Sequence, residues 1–150
     1  MQRTLILVKP DAMQRGLAGT ILSRLEQRGL KIVAIKLIHM DEALAKQHYS
    51  IHEGKPFFHD LVRYITSSPI IAAVFEGPAA VDVVRKTMGE TNSGNASPGT
   101  IRGDFALTIG RNLVHGSDSI ENAKKEINLF FLESEIVSYN RDVDPWIIES

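Results

Sequence analysis

Apolar residues recur along this chain in two rhythms. The β-rich runs Thr4 to Val8 and Ile70 to Phe75 are bounded by turn formers. Lys9-Pro10-Asp11 closes the first, while Pro69 and Gly77-Pro78 flank the second, and both runs predict strands. Leu30 to Ile38 predicts another, but Ile32, Ala34 and Leu37 interleave with Val33, Ile35 and Lys36. Such imperfect alternation suits a strand covered on both faces. Leu17, Ile21, Leu22 and Leu25 fall at helical spacing, with Gly29 placed to end the helix. Asp41 is placed to cap a short helix reaching His48-Tyr49. After the Gly54-Lys55-Pro56 break, Phe57 to Ile65 predicts a helix with Phe57, Leu61 and Tyr64 or Ile65 on one side. Ala79 to Met88 is helical through Val83, Val84 and Thr87. Ser119 to Phe131 is the clearest helix, with Ile120, Ala123, Ile127, Phe130 and Phe131 as its inward stripe.

Thr91 to Gly103 reads as a long polar loop, and loops of that length in compact domains are often functional. Phe105 to Ile109 and Leu113 to Val114 are short extended candidates; pattern does not decide which joins a sheet. Residues 132–150 form a tail containing Pro145 and Trp146. The order suggests an α/β chain of the α+β sandwich type with a ferredoxin-like βαββαβ core. That core is a four-stranded antiparallel sheet with helices on one face, plus a long loop at about 91–113 and the C-terminal tail. A doubly wound parallel sheet is the alternative. With no internal repeat or linker, residues 1–150 read as a single domain.

Composition narrows the function. The 150 residues are 43% hydrophobic and 23% charged, as expected of a globular protein. A net charge of −1 lacks the basic footprint of a dedicated nucleic-acid binder, so cations for a polyanionic ligand must be focused locally. With no cysteine, disulfides, thiolate nucleophiles and Cys-type zinc sites are excluded. The apolar runs are too short for a secretory or membrane-spanning segment, and the expected location is the cytoplasm.

Polar residues gather in four places where the pattern needs a turn or loop: Lys9-Pro10-Asp11, Arg85 with Thr91-Asn92, Arg102, and Asn112 to Asp118. Each cation alone reads as a solvated surface charge; together Lys9, Arg85 and Arg102 could neutralise a di- or triphosphate. His115 alone reads as a structural histidine, but its context differs. Gly116 frees space beside the ring, and Ser117 and Asp118 can cap the following helix, whose N-terminus favours anions. Imidazole, with an ordinary pKa of about 6.5, is partly neutral and nucleophilic near neutral pH. Glu126, about two turns into that helix, could accept a proton from the non-attacking nitrogen, directly or through Ser117, and so set the tautomer. Lys124 and Lys125 beside it equally suit an exposed glutamate. His48 and His52 are four apart, the spacing of a helical metal pair, but Glu53 follows the second histidine and completes no zincin motif. They read as exposed helix histidines. Phe57-Phe58 reads as core, or as a face for a base. Neither a Walker loop nor Gly-x-Gly-x-x-Gly is present.

These residues resemble the nucleoside diphosphate kinase family from Arg3-Thr4 through Trp146. Asn112-x-x-His115-Gly116-Ser117-Asp118 matches the family signature. Lys9-Pro10-Asp11, Arg15-Gly16-Leu17, His48-Tyr49, Pro56-Phe57-Phe58, Gly89-Glu90-Thr91-Asn92 and Pro98 to Asp104 follow in the expected order. The resemblance implies ping-pong phosphoryl transfer. The Nδ1 of His115 would take the γ-phosphate of a nucleoside triphosphate, usually ATP, and pass it to a nucleoside diphosphate. Mg²⁺ would ride on the phosphates without a direct protein ligand, with Asp118 a candidate for a water bridge. By the same carry-over, Glu126 and Ser117 orient the ring and Tyr49 lies near it. Arg85, Thr91 and Arg102 hold phosphates, Lys9 and Asn112 contact ribose, and Lys9 also approaches the transferred group. Phe57 stacks on the base between Leu61 and Ile109. A stacking slot tolerates every base, because every base has a π-face.

Ser93 stands where the family commonly has proline, and Ile109 where valine is commoner. The family forms hexamers or tetramers; the tail ending Pro145-Trp146-Ile147-Ile148 resembles the hexameric form, and an apolar tail on a small domain itself favours assembly. Two other readings are a nucleotide-binding module without turnover and a purely structural oligomer. The second leaves the grouping of Lys9, Arg85, Arg102 and His115 without a reason.

Overall fold

Strand β1 (Gln2–Val8) is apolar on both sides from Leu5 onward, and it takes the interior of the sheet. In a computed structural model describing all 150 residues, it pairs along its length with β3 (Ile70–Gly77), from Gln2 opposite Gly77 to Val8 opposite Ile71. β2 (Lys31–Ile38) lies outside β3, and β4 (Val114–Gly116) lies on the other side of β1. The order is β2-β3-β1-β4 and every pairing is antiparallel, which is the expected βαββαβ sheet and excludes the doubly wound alternative.

The helices cover both faces rather than the one expected. Leu5 and Leu7 point to a layer built from α3 (Glu42–His48), α4 (Phe58–Ile65) and α7 (Ile120–Phe130), through Ala45, Phe58, Val62, Ile65, Ile127 and Phe130. Ile6 and Val8 point the other way. They meet α1 (Pro10–Gln14), α2 (Ala18–Gln27), α5 (Ala80–Met88) and α6 (Ile101–Phe105), through Ala12, Ile21, Leu25, Val84, Met88 and Ile101. A strand apolar at consecutive positions needs cover on both sides, and the unbroken run Leu5 to Val8 carries that requirement.

Several local expectations change. Pro10 opens the short helix α1 instead of a turn, since its fixed φ and missing N–H suit a first helical position. The polar stretch 91–103 holds a 3-10 turn at Ser93–Asn95 and then α6, capped by Thr100 Oγ1 accepting from the Gly103 N–H at 3.0 Å. Ser93 is buried in that turn and its Oγ has no partner. Phe105 ends α6, so 105–109 is no strand, while Val114 joins β4. Ser119, rather than Ser117 or Asp118, caps α7 by accepting from the Asn122 N–H at 3.0 Å. Ile120 therefore falls in the exposed first turn, outside the inward stripe. The tail runs back along β2: the Val137 N–H donates to the carbonyl of Val33, the bulged residue of that strand, at 2.8 Å. Arg141 then donates to the carbonyls of Gly29 and Leu30.

Candidate active site

His115 lies on β4 opposite Leu7, not at a helix N-terminus. Alternation along the strand therefore sends its ring to the face covered by α3 and α7, and sends Val114 and Gly116 to the α5 face. α5 passes close: a Cβ on Gly116 would stand 2.6 Å from Met88 Sδ and 3.1 Å from Val84 Cγ1. Glycine is what lets β4 approach α5. The Gly116 carbonyl also accepts from Arg85 Nη1 at 3.3 Å.

The approach to β4 is strained. Leu113 has φ +74°, and the Val114 N–H donates across it to the Asn112 carbonyl at 2.8 Å, the rare strained form of a γ-turn. Asp11 holds this turn. Its Oδ2 accepts from the Leu113 N–H at 3.0 Å and its Oδ1 from the Tyr64 hydroxyl at 2.5 Å; the Lys9 N–H donates to the Leu113 carbonyl at 2.9 Å. Burial and Asp11 raise the pKa of Tyr64, which keeps it a donor. The Arg111 guanidinium stacks 4.3 Å from the Tyr64 ring centre. Sequence reasoning quoted Asp11 but gave it no task, and took Tyr64 as helix-face packing. The hydroxyl of Tyr64 was the available signal, because a tyrosine packed partly inward usually finds a partner for it.

Glu126 is not the exposed helical glutamate. It sits three residues after Ala123 and four before Phe130, in the buried stripe of α7, and its Oε2 accepts from His115 Nε2. A carboxylate only accepts, so Nε2 carries the hydrogen, and in the neutral form of the ring Nδ1 is then the nitrogen with the free lone pair. The contact is direct. The buried Ser117 hydroxyl instead accepts from the Leu5 N–H at 3.3 Å, tying β4 to β1 beside the ring.

His48 is the largest correction. Its side chain is 3% exposed, and its ring meets His115 edge-on, with centroids 4.8 Å apart at 87°, and Phe130 at 5.5 Å. Burial first, then the nearby His115, Lys9 and His52, lowers its pKa to about 3, so it is neutral. Pattern could not place it, because α3 is only seven residues long and its inward face is chosen by packing. Tyr49 packs against His48 at 4.7 Å, one ring removed from His115; burial, aided by Glu126, raises its pKa to about 12.

The structure places Arg102 near both Lys9 and Arg85. Lys9 Nζ donates to Asn112 Oδ1 at 2.7 Å, and burial above all lowers its pKa to about 8, with Arg102 and Arg111 adding to the effect and Asp11 opposing it. Arg102 is 4% exposed and donates to the carbonyls of Asn112, Gly89 and Val114 at 3.2, 3.0 and 2.6 Å. Burial and the neighbouring Arg85 lower its pKa to about 10. None of Lys9, Arg85 and Arg102 makes an ion pair with a carboxylate. Asn112 also donates from Nδ2 to the exposed Thr91, at its carbonyl, at 3.2 Å. Phe57, 46% exposed, starts α4 with Leu61 one turn on, and the His52 ring meets it edge-on at 5.3 Å. Ile109 is exposed in the loop before Arg111. Asp118 is exposed, and one of its oxygens accepts from Asn122 Nδ2 at 2.6 Å.

An imidazole held from behind, beside cations without carboxylate partners and an exposed aromatic face, suits phosphoryl transfer from a nucleotide. The profile of the family described as nucleoside diphosphate kinase matches residues 2–136. The chain is 59% identical over 148 residues to the nucleoside diphosphate kinase of Thermomicrobium roseum, covering 99% of each chain. It is also 59% identical to that of Roseiflexus castenholzii over 149 residues, covering 99% of this chain and all of that one. Among solved structures, a halophilic nucleoside diphosphate kinase from Halobacterium salinarum in complex with CDP superposes with a TM-score of 0.96 at 49% identity, covering 99% of each chain. A nucleoside diphosphate kinase family protein from Babesia bovis also reaches 0.96, at 43% identity, covering 99% of this chain and all of that one. The chain belongs to the nucleoside diphosphate kinase family and has its phosphotransferase activity, EC 2.7.4.6.

Proposed function

We propose that His115 carries the phosphate in a ping-pong exchange, within a single domain spanning residues 1–150. The observation that supports this most directly is the contact from His115 Nε2 to Glu126, which leaves Nδ1 as the nucleophilic nitrogen. The Nδ1 lone pair attacks the γ-phosphorus of a nucleoside triphosphate, and the bond from that phosphorus to the bridging oxygen breaks to release a nucleoside diphosphate. Positive charge developing on the ring is balanced by Glu126 through Nε2–H. In the second half, a terminal oxygen of another nucleoside diphosphate attacks the same phosphorus and the Nδ1–P bond breaks.

Lys9, Arg85 and Arg102 supply positive potential for the phosphates, and Thr91 an exposed polar contact. Arg102 also braces β4, since three of its donors already hold backbone carbonyls. Lys9 and Asn112, already bonded to each other, meet the ribose, and the exposed face of Phe57 takes the base with Leu61 and Ile109 beside it. Ser117 supports the ring through its strand, and Tyr49 through His48.

The family works on magnesium nucleotides. Mg²⁺ prefers oxygen ligands, and Glu126 is already committed to His115, so the ion would be carried by the nucleotide phosphates, with the exposed Asp118 the carboxylate that would help hold it through water. When bound, the ion neutralises phosphate charge. The substrates are ATP and other nucleoside tri- and diphosphates, and the location is the cytoplasm. No helix is long and apolar enough to cross a membrane. Exposed Trp146, Ile147 and Leu107 support a homo-oligomer, a hexamer ahead of a tetramer, which light scattering distinguishes.

Incubation with γ-labelled ATP should give an acid-labile, alkali-stable label on the protein that nucleoside diphosphates discharge. His115→Asn should abolish both labelling and exchange. Transfer at the parent rate by that variant would overturn the mechanism.

A further inference from the structure

Behind the nucleophile lies a side chain that packs on the ring but whose polar atom the transfer does not use. His48 Nδ1 is buried, has no hydrogen-bond partner, and stands 3.8 Å from Glu126 Oε2. A phenylalanine would fill the same space between His115 and Phe130 without burying an unsatisfied polar atom. With His115 and Glu126 it makes a cluster whose ligand atoms all lie within 4.8 Å of one another. We propose that His48, His115 and Glu126 form a binding site for a zinc-class divalent cation that holds the enzyme in a resting form unable to accept phosphate.

The chemistry favours that class of ion. Two imidazole nitrogens and one carboxylate oxygen, with the fourth position open, are a ligand set for zinc; magnesium prefers oxygen ligands alone. His115 keeps 31% and Glu126 16% of their side chains exposed, so the cluster is not sealed in the core. Tetrahedral bonds of about 2.0–2.2 Å place ligand atoms roughly 3.3–3.5 Å apart. The separation of His48 from Glu126 is already near that value, while the contact between His115 and Glu126 must open by about one ångström. His48 Nδ1 has no hydrogen bond to give up on binding a metal.

Inhibition follows from proton placement and rests on His115 acting through Nδ1. A metal on Nε2 displaces the hydrogen donated to Glu126, and a neutral ring then carries it on Nδ1. That nitrogen loses its lone pair to the N–H bond, and no proton leaves the ring. The reverse also holds: phosphorylation at Nδ1 keeps the hydrogen on Nε2 and closes the site to metal.

The test is zinc binding to the full chain without nucleotide, by competition with a chromogenic chelator. One saturable site per chain is expected, weakened by roughly tenfold or more in His48→Phe, which keeps the packing and removes the donor. His48→Gln is the second variant, and circular dichroism and gel filtration check that each is folded. His39→Ala, His52→Ala and His59→Ala should bind as the parent does. No saturable site, or one lost with His52 or His59 but not with His48, overturns the site. Protein labelled by ATP and freed of nucleotide should lose zinc affinity by at least the same factor; equal affinity overturns the inhibitory role. Failure of the parent to take label at all would strike the nucleophile reading and leave the metal titration standing.

Discussion

The two sides of β4 are unlike in chemistry and in packing. On one side His115 stands in a polar, half-open site with Glu126, His48 and Lys9 around it. On the other, Gly116 lies against Met88 and Val84 with no room for a methyl group. The reacting side has adaptable neighbours; the far side is a steric stop. A nucleophile on a three-residue edge strand depends on that stop for its depth against α5, beside the bonds to β1, Arg85 and Arg102 that hold the strand along its length.

The largest expected effect comes from the far side. Gly116→Val should push β4 off α5, cost about 1–3 kcal/mol by overpacking, and lower kcat about a hundredfold or more, since misplacement of about 1 Å can cost that much. Adding Met88→Ala should recover part of the rate. Unchanged kcat in the single variant, measured by steady-state exchange, would break the comparison. Glu126→Gln acts from the near side: its amide oxygen still accepts Nε2–H, but the charge balancing the phosphorylated ring is gone. The loss in kcat should be about tenfold, matching the roughly 1.5 kcal/mol of a charge-assisted hydrogen bond.

Smaller effects are read by pH. His48 has a folded pKa of about 3 against an ordinary 6.5, so the unfolded chain binds the proton first as pH falls. Stability from its neutral form is therefore complete above about 6.5 and is lost progressively toward about 3. Thermal denaturation of His48→Phe should show a shallower fall in Tm from pH 7 to 4 than the parent. The smallest shift concerns Lys9, charged below about 8 and neutral above. kcat/KM for nucleotide should decline severalfold as pH rises through that value, and Lys9→Arg should remove this limb even where it lowers the plateau.

The antiparallel sheet and the Asp41 cap were legible because each rests on a local signal, and the neighbourhood of Lys9, Arg85 and Arg102 could be suspected from polar clusters at turns. Apolar runs between turn formers make strands, and polar clusters at their ends make a site. The second helical layer was less legible, although Leu5 to Val8 carries its demand in four consecutive apolar residues. Pro10 and Gly103 misled for related reasons. Proline marks a helix start as readily as a turn. Gly103 reads as loop, whereas a Cβ there would meet the Ser97 carbonyl oxygen at 1.9 Å inside a helix. His48 and Glu126 are decided by tertiary packing: lysines beside one and a second histidine beside the other pointed to solvent, and the layer over β1 and β4 took both inward.

Leu113 is a position of irreducible frustration. Its backbone φ of +74° would favour glycine, while its fully buried side chain calls for a large apolar residue. Glycine would relax the turn by about 1–2 kcal/mol and forfeit about 2–5 kcal/mol of packing. A β-branched residue would pack and strain the turn further. No natural side chain satisfies both demands. Any search for a more stable sequence therefore meets a plateau immediately before the nucleophile, where the fold accepts a compromise that no single substitution removes.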